Sequence, residues 1–362
     1  MLLNNNSIKA SPKISVVVPS FNQGKYIERT LLSILKQEYE GDVEIIVSDG
    51  GSTDNTVDIL KKYDKQISWW SEKDSGYADA VNKGFRKATG DIFAIQSSDD
   101  YYLENAFINI TGTFNKYPMA SLICGREVLQ NPDGFVFGGY ILPEIITPRS
   151  FLLNHPFPGI FQHTTFFRRK FYEMAGGMRS QFDMCADTDL FYRLLHFSNG
   201  YFIDKCTAVY QRHDLQRTQL QISKFENQLL DMVDTMRKDP FYLQRSTLSD
   251  EDLFIYKRFI NLFYLQYSNI KKASQISRSL INDTGLDSRT RSLINNILET
   301  EESGKKQVSD NLFRKSKRII NRVFTKYFLR SDTKTEQKRE FLASFNQDWW
   351  YPDLQNQKTD IS

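Results

Sequence analysis

Two hydrophobic periods alternate through the first hundred residues, and that alternation restricts the fold more than any other feature. Residues 14–18 form an apolar, β-branched run, the pattern of a strand covered on both faces. The turn Pro19-Ser20-Phe21-Asn22-Gln23-Gly24 follows, and Ile27, Leu31, Ile34 and Leu35 then recur at helical spacing. Residues 43–47 give a second strand, and Ser48-Asp49-Gly50-Gly51-Ser52-Thr53-Asp54 leads into a helix carrying Val57, Ile59 and Leu60. The pattern predicts a third strand at 67–70, a helix at 77–88 and a fourth strand at 92–96, beyond the helix stop Gly90. Strands and helices joined in this order by short turns imply right-handed crossovers. The expected class is α/β, with a mostly parallel central sheet and helices on both faces.

Beyond Tyr101 the pattern loosens. Residues 121–124, 135–141 and 165–168 predict strands, 186–195 a helix and 201–210 further strands. After about residue 216 the chain becomes helical and polar. Leu229, Met232, Val233 and Met236 make one amphipathic stripe; Leu253, Tyr256, Phe259, Ile260 and Phe263 make another. The expected division is residues 1–215 for the α/β domain, 216–330 for a helical C-terminal extension and 331–362 for a polar tail. A net charge of +3 over 362 residues gives no reason to expect a nucleic-acid partner. Cys124, Cys185 and Cys206 are too few and too widely spaced for a disulfide framework or a zinc site. The first residues lack a secretory pattern, and no apolar run approaches the ~20 residues that span a bilayer. A cytoplasmic location is expected.

The segment Ser97-Ser98-Asp99-Asp100 lies just past the fourth strand. Adjacent carboxylates repel and are costly to desolvate unless a cation binds them. The tips of parallel strands are also where open α/β sheets place ligands. The pair therefore predicts a divalent metal holding a phosphorylated substrate. Asp49, ending the second strand, can accept hydrogen bonds from a nucleobase N–H or a ribose hydroxyl. Helix capping is the plainer alternative for Ser20, Asn22, Ser52, Thr53 and Asp54.

Four segments then stand in a fixed order: ISVVVPSFNQGKYIERTLLSIL, EIIVSDGGSTDNT, SEKDSGYADAVNKGFRKATGDIFAIQSSDD and AGGMRSQFDMCADTDLFYRL. Together they resemble family-2 glycosyltransferases with the GT-A, Rossmann-like nucleotide-sugar fold, over roughly residues 12 to 215. The resemblance implies a donor site drawn from Pro19, Ser20, Asn22, Asp49, Gly51, Ser75, Asp79, Asn82, Ser98 and Asp100. It makes Asp99 the metal ligand, with His213 as a late metal or diphosphate contact, and the cofactor Mg2+ or Mn2+. Ser97 stands where the family's metal motif usually has its first acid. Asp187 matches the catalytic base, although Ala186 replaces the Glu that often precedes it and Gly-Gly-Met departs from the usual Gly-Gly-Phe-Asp-Glu. Asp189 would brace the site or cap its helix, and His163 and Arg212 would lie on the acceptor or phosphate side. Lys83 reads as a solvated helix lysine.

The implied reaction is metal-assisted, inverting transfer of a sugar from a nucleotide-diphosphate sugar to a hydroxyl of a glycan or lipid-linked saccharide, as in surface polysaccharide synthesis. A non-catalytic nucleotide-sugar-binding subunit and a sugar-nucleotide nucleotidyltransferase are the alternatives. The latter normally has a Gly-rich, Arg-containing loop after the first strand, which Pro19 to Gly24 does not provide. Residues 312–330 carry seven basic and no acidic residues among apolar ones. That stripe suits either peripheral contact with an anionic membrane or docking on the catalytic domain.

Overall fold

The computed structural model describes residues 11–130, 136–138, 144–148, 150–151, 160–213, 216–236, 238–245, 257, 270–280, 282 and 288–303. The chain separates into two compact units, Met1–Tyr256 and Lys257–Ser362.

In the first unit, β1 (Ile14–Ser20), α1 (Ile27–Leu35), β2 (Val43–Asp49), α2 (Thr56–Lys62), β3 (Ser68–Ser71), α3 (Tyr77–Lys87) and β4 (Ile92–Ile95) follow the expected alternation. Then come β5 (Tyr101–Tyr102), α4 (Ala106–Lys116), β6 (Leu122–Gln130), β7 (Val136–Gly138) and β8 (Ile145–Ile146). A 3-10 turn (Gln162–Thr164) leads to β9 (Thr165–Arg168), α5 (Arg169–Ala175), α6 (Ala186–Leu195) and β10 (Gly200–Gln211). The helices α7 (Arg217–Leu220), α8 (Ile222–Met236) and α9 (Pro240–Arg245) complete the described part.

The sheet runs β3-β2-β1-β4-β9-β6-β10-β5, with β7 on β6 and β8 on β10. β2 and β4 both pair with β1 in parallel, so the chain winds outward in opposite directions from β1. The gap beyond the carboxyl ends of β1 and β4 is therefore the topological switch point, where this class of sheet binds ligands. The sequence marks β9 as a strand but not its direction. It enters antiparallel to both β4 and β6. The strands expected at 201–210 are one long strand, β10, parallel to β6 with bulges near Cys206.

β1 is buried on both faces because helices cover both. Ile14, Val16 and Val18 join Ile27, Leu31 and Ile34 of α1, Ile59 and Leu60 of α2, and Phe107 and Ile110 of α4 in one core. Ile27, Thr30 and Ile34 are β-branched and each lose a few tenths of a kcal/mol of helix propensity. Burying Ile27, Leu31 and Ile34 returns about 1.5–3 kcal/mol each, so packing decides the helix. On the opposite face α3 comes so close to β1 that a Cβ at Gly84 would lie 2.4 Å from Val17 Cγ1. Phe85 of α3 stacks on Phe93 and meets Phe167 and Tyr172.

The helices after residue 215 up to α9, expected to belong to a separate extension, lie within this first unit. Leu229, Met232, Val233 and Met236 of α8 are buried as their stripe predicts, and Gln228 Oε1 accepts the Met184 N–H at 2.7 Å. In the second unit α10 (Ile270–Leu280) and α11 (Ser288–Glu302) pack together, burying Ala273, Leu293, Ile294 and Ile297. The stripe from Leu253 to Phe263, the basic stretch 312–330 and the tail 331–362 lie outside the described residues. No helix among the described residues is long and apolar enough to cross a membrane. No disulfide joins Cys124, Cys185 or Cys206.

Candidate active site

The turns after β1 and β2 are built as one unit. Asn22 adopts a left-handed conformation (φ 53°), which Asn tolerates better than most residues. Its Oδ1 accepts the Thr53 N–H at 2.8 Å, and its own N–H donates to Ser52 Oγ at 2.7 Å. Asp49 is buried at the end of β2. Its carboxylate accepts from the Gly51 N–H (3.2 Å), the Ser52 N–H (2.8 Å), Ser52 Oγ (2.5 Å) and Ser71 Oγ (2.6 Å). Four donors approach the capacity of a carboxylate, so Asp49 first of all shapes the loop that carries Gly51. Ser20 ends β1 with its hydroxyl buried and lacking a protein partner among the described residues. The capping alternatives resolve differently from the expectation. α1 and α2 start behind Tyr26 and Asn55 without side-chain caps, so Ser20, Asn22, Ser52 and Thr53 do not cap them. Asp54 does serve α2, accepting from the N–H and hydroxyl of Thr56 and from the Gly24 N–H.

α3 opens behind Gly76, whose φ of +112° favours glycine. The Ser75 N–H donates to Asp79 Oδ2 at 3.1 Å and holds that carboxyl below the usual carboxylate range. Lys83 pairs with Glu72 at 3.1 Å and Asp79 at 3.3 Å. Asn82 does not turn its amide to the switch point. It binds Tyr172 Oη and both the N–H and the carbonyl of Met178, pinning the turn that precedes α6.

The Ser97–Asp100 segment is held from below by Thr30 of α1, whose hydroxyl meets the carbonyls of Ser98 (3.0 Å) and Asp100 (2.6 Å). Asp100 is almost fully buried, and its Oδ1 accepts the Gln211 N–H at 2.9 Å. Burial, reinforced by the Asp99 charge and partly offset by His163, pushes its carboxyl well above the usual range. Asp99 is more exposed, and its Oδ2 lies 2.9 Å from His213 Nε2. The His213 ring stacks on Tyr26, with centroids 4.5 Å apart. Its buried Nδ1 has no protein partner among the described residues.

This pair fits a small divalent ion. Two ligand atoms side by side in an octahedral shell with bonds of about 2.0–2.1 Å lie about 3 Å apart, close to the Asp99–His213 spacing. The carboxylate oxygen suits Mg2+ or Mn2+, and an imidazole beside it favours Mn2+ of the two. No group of three or more His, Cys, Asp or Glu among the described residues is arranged to hold a metal alone. Asp99 and His213 therefore leave coordination positions for a substrate's oxygens.

α6 carries both acidic candidates, and their surroundings differ. Asp189 is fully buried and ion-paired: Arg193 donates to its Oδ2 from Nε (2.9 Å) and Nη2 (2.7 Å), while Tyr242 Oη donates to Oδ1 at 2.7 Å. Arg193 also donates to the carbonyls of Ala175 and Gly177, locking the turn into α6. Both Asp189 oxygens are thus already engaged. Arg193→Met should lower unfolding free energy by about 3–5 kcal/mol, because it strips a buried carboxylate of its hydrogen-bonded cation and leaves only Arg179, 3.8 Å from Oδ1. Urea denaturation measures this; a loss under about 1 kcal/mol would contradict the bracing role. Asp187, the second residue of α6, is only partly exposed. Its Oδ1 accepts the Thr188 N–H at 2.8 Å, and burial raises its carboxyl above the usual range against that bond and the His163 charge.

His163 precedes β9, buried between Glu127 (Nε2–Oε2 3.2 Å) and Asp100 (Nδ1–Oδ2 3.7 Å). Burial alone would lower its pKa; the Glu127 hydrogen bond and the nearby carboxylates outweigh it, and the net shift is upward. Arg212 donates its backbone N–H to the Gln130 carbonyl at 2.8 Å. Tyr77 at the start of α3 donates to Gln162 Oε1, and Gln162 Nε2 donates to Ser97 Oγ at 3.0 Å. The sequence singled out neither Glu127 nor Gln162. Glu127 lies beyond the strand expected at 121–124 and next to Arg126, so no local pattern marks it.

A sheet ordered 3-2-1-4 with an antiparallel strand beyond, and with acidic groups at its switch point, agrees with the GT-A fold. Residues 15–175 match the model of glycosyl transferase family 2. Over this stretch, somewhat under half of its length, the chain is similar to the family-2 glycosyltransferases. An uncharacterised glycosyltransferase of Rickettsia typhi is 26% identical over 222 residues, covering 60% of this chain and 69% of that protein. Chondroitin synthase of Pasteurella multocida is 24% identical over 268 residues, which is 72% of this chain but 26% of the synthase. Among solved structures, S. aureus TarS 1-349 in complex with UDP-GlcNAc gives a TM-score of 0.55 at 16% identity, covering 81% of this chain and 92% of that one. The mannosyltransferase PcManGT from Pyrobaculum calidifontis in complex with GDP-Man and Mn2+ gives 0.55 at 17% identity, covering 82% and 81%.

Proposed function

We propose that this chain moves a sugar from a nucleoside-diphosphate sugar to a hydroxyl of a saccharide or lipid-linked acceptor, inverting the anomeric centre. The observation that carries the reading is the Asp99–His213 pair at the switch point, together with a separate carboxyl, Asp187, whose environment raises its pKa. The turns after β1 and β2, with Ser20, Asn22 and Asp49, receive the nucleoside. Asp99 and His213 would hold a Mg2+ or Mn2+ ion, which supplies Lewis acidity against the charge that builds on the departing diphosphate. Asp187 accepts the proton of the attacking hydroxyl as general base. Attack from the face opposite the leaving group gives inversion.

The fold carries UDP-GlcNAc in the TarS structure and GDP-Man with Mn2+ in the mannosyltransferase, which sets the range of donors to test. The full chain is melted with UDP-, GDP- and dTDP-sugars, each with and without Mn2+. One nucleotide class should raise the melting temperature, and only with metal; a ligand at 100 times its Kd stabilises by about 2.7 kcal/mol. A flat response to every donor in Mn2+ would count against the reading.

A further inference from the structure

Glu127 lies on β6, inside the sheet and nearly fully buried. A buried carboxylate is costly to desolvate, and one hydrogen bond seldom compensates. Its Oε2 meets His163 Nε2 at 3.2 Å, and the other nitrogen of that ring faces Asp100 Oδ2 at 3.7 Å. The imidazole thus stands between two buried carboxylates, one on β6 and one in the loop between β4 and β5. Ring stacking on Phe161 (5.9 Å) and Tyr210 (5.4 Å) limits its tilt, but rotation within its own plane is left to the two acids. The neighbouring Gln162, on the same 3-10 turn, holds Ser97 Oγ at 3.0 Å. This turn therefore reaches both the first and the last residue of the Ser97–Asp100 segment.

We propose that Glu127 is a positioning residue: it orients His163, which fixes the Asp100 carboxylate and with it the end of the Ser97–Asp100 segment. Glu127 touches neither the Asp99–His213 pair nor the nucleoside-side turns in the contacts described, so ground-state donor binding does not depend on it. Its effect falls on the geometry reached during reaction, where a displacement of about 1 Å can cost 10²-fold. The kinetic part rests on the transferase reading; the structural part does not.

The test uses the full chain with Glu127→Met, which keeps length and bulk but cannot accept from His163, beside Glu127→Gln, whose Oε1 still can. Turnover of the nucleotide sugar selected by thermal shift should fall about 10- to 100-fold in Glu127→Met, with donor KM within about threefold of the unmodified chain. Glu127→Gln should recover turnover to within about fivefold, the signature of an orienting hydrogen bond. Crystal structures should show Asp100 displaced in the Met variant and in place in the Gln variant. Should Glu127→Met not fold, Glu127→Leu takes its place with the same expectation. Asp100 unmoved in the apolar variant, or a Gln variant as impaired as the apolar one, overturns the proposal. If the unmodified chain turns over no nucleotide sugar, the transferase reading falls, and the two crystal structures still decide whether Glu127 positions Asp100.

Discussion

Asp187→Asn should lower sugar transfer by about 10²- to 10⁴-fold, the usual contribution of a positioned general base. The substitution keeps the side chain's size and its acceptor for the Thr188 N–H, so the fold and the donor-induced thermal shift should stay as they are. What goes is basicity. The pH profile gives a second reading. Burial raises the Asp187 carboxyl above the ordinary range, and only its ionised form can take a proton. The rate should therefore rise with pH through a limb above the ordinary carboxylate value, and that limb should vanish in the Asn variant. Stability runs the other way. A carboxyl whose pKa is raised by folding stabilises the folded state below its unfolded pKa, and that contribution is lost as pH rises through the folded value. The site thus gains reactivity over the pH interval in which this group's contribution to stability declines. Transfer within about tenfold of the unmodified chain would place the base elsewhere. Asp189 is a poor substitute, since Arg193 and Tyr242 already occupy both of its oxygens.

Much of this site could be read from the sequence wherever it depends on neighbours along the chain. The β1 to β4 alternation follows from periodicity, and the position of Ser97–Asp100 follows from the strand it ends. The roles that escaped depend on contacts between distant residues. Asp99 meets His213 across 114 positions, and Tyr26, which carries the ring, gives no local sign of it. Asp189 reads as a brace or a helix cap, but its partners, Tyr242 53 residues later and the buried Arg193, have no local sign. Asn82 lies one helical turn from Asp79, yet its amide faces Met178 because α3 passes beneath that turn. β9 shows how strand direction escapes pattern. An apolar run of four residues states burial but not sense, and here the chain arrives through a 3-10 turn rather than a crossover helix. Local propensity thus names the elements, and non-local packing assigns the polar side chains.

Asp99→Asn should abolish the Mn2+-dependent thermal shift by nucleoside diphosphate, with affinity weakened at least about 100-fold. Residues that merely support metal ligands already cost 10–100-fold when changed, and a ligand should cost no less. The opposite sign is expected without metal. The Asp99 charge is one of the forces that push the Asp100 carboxyl upward, so removing it relieves a repulsion between adjacent acids. The Asn side chain still offers His213 an acceptor where the carboxylate stood at 2.9 Å. The metal-free variant should therefore melt at or above the temperature of the unmodified chain. That pairing of a lost metal response with an undiminished fold separates a ligand from a structural acid. Arg193→Met, by contrast, should lower the melting temperature whether or not metal is present. Calorimetric titration of UDP and GDP in Mn2+ checks the affinity, and differential scanning calorimetry checks the fold. An Asp99→Asn chain that keeps its full Mn2+-dependent nucleotide affinity would move the metal away from Asp99 and His213 and leave their contact as an ordinary hydrogen bond.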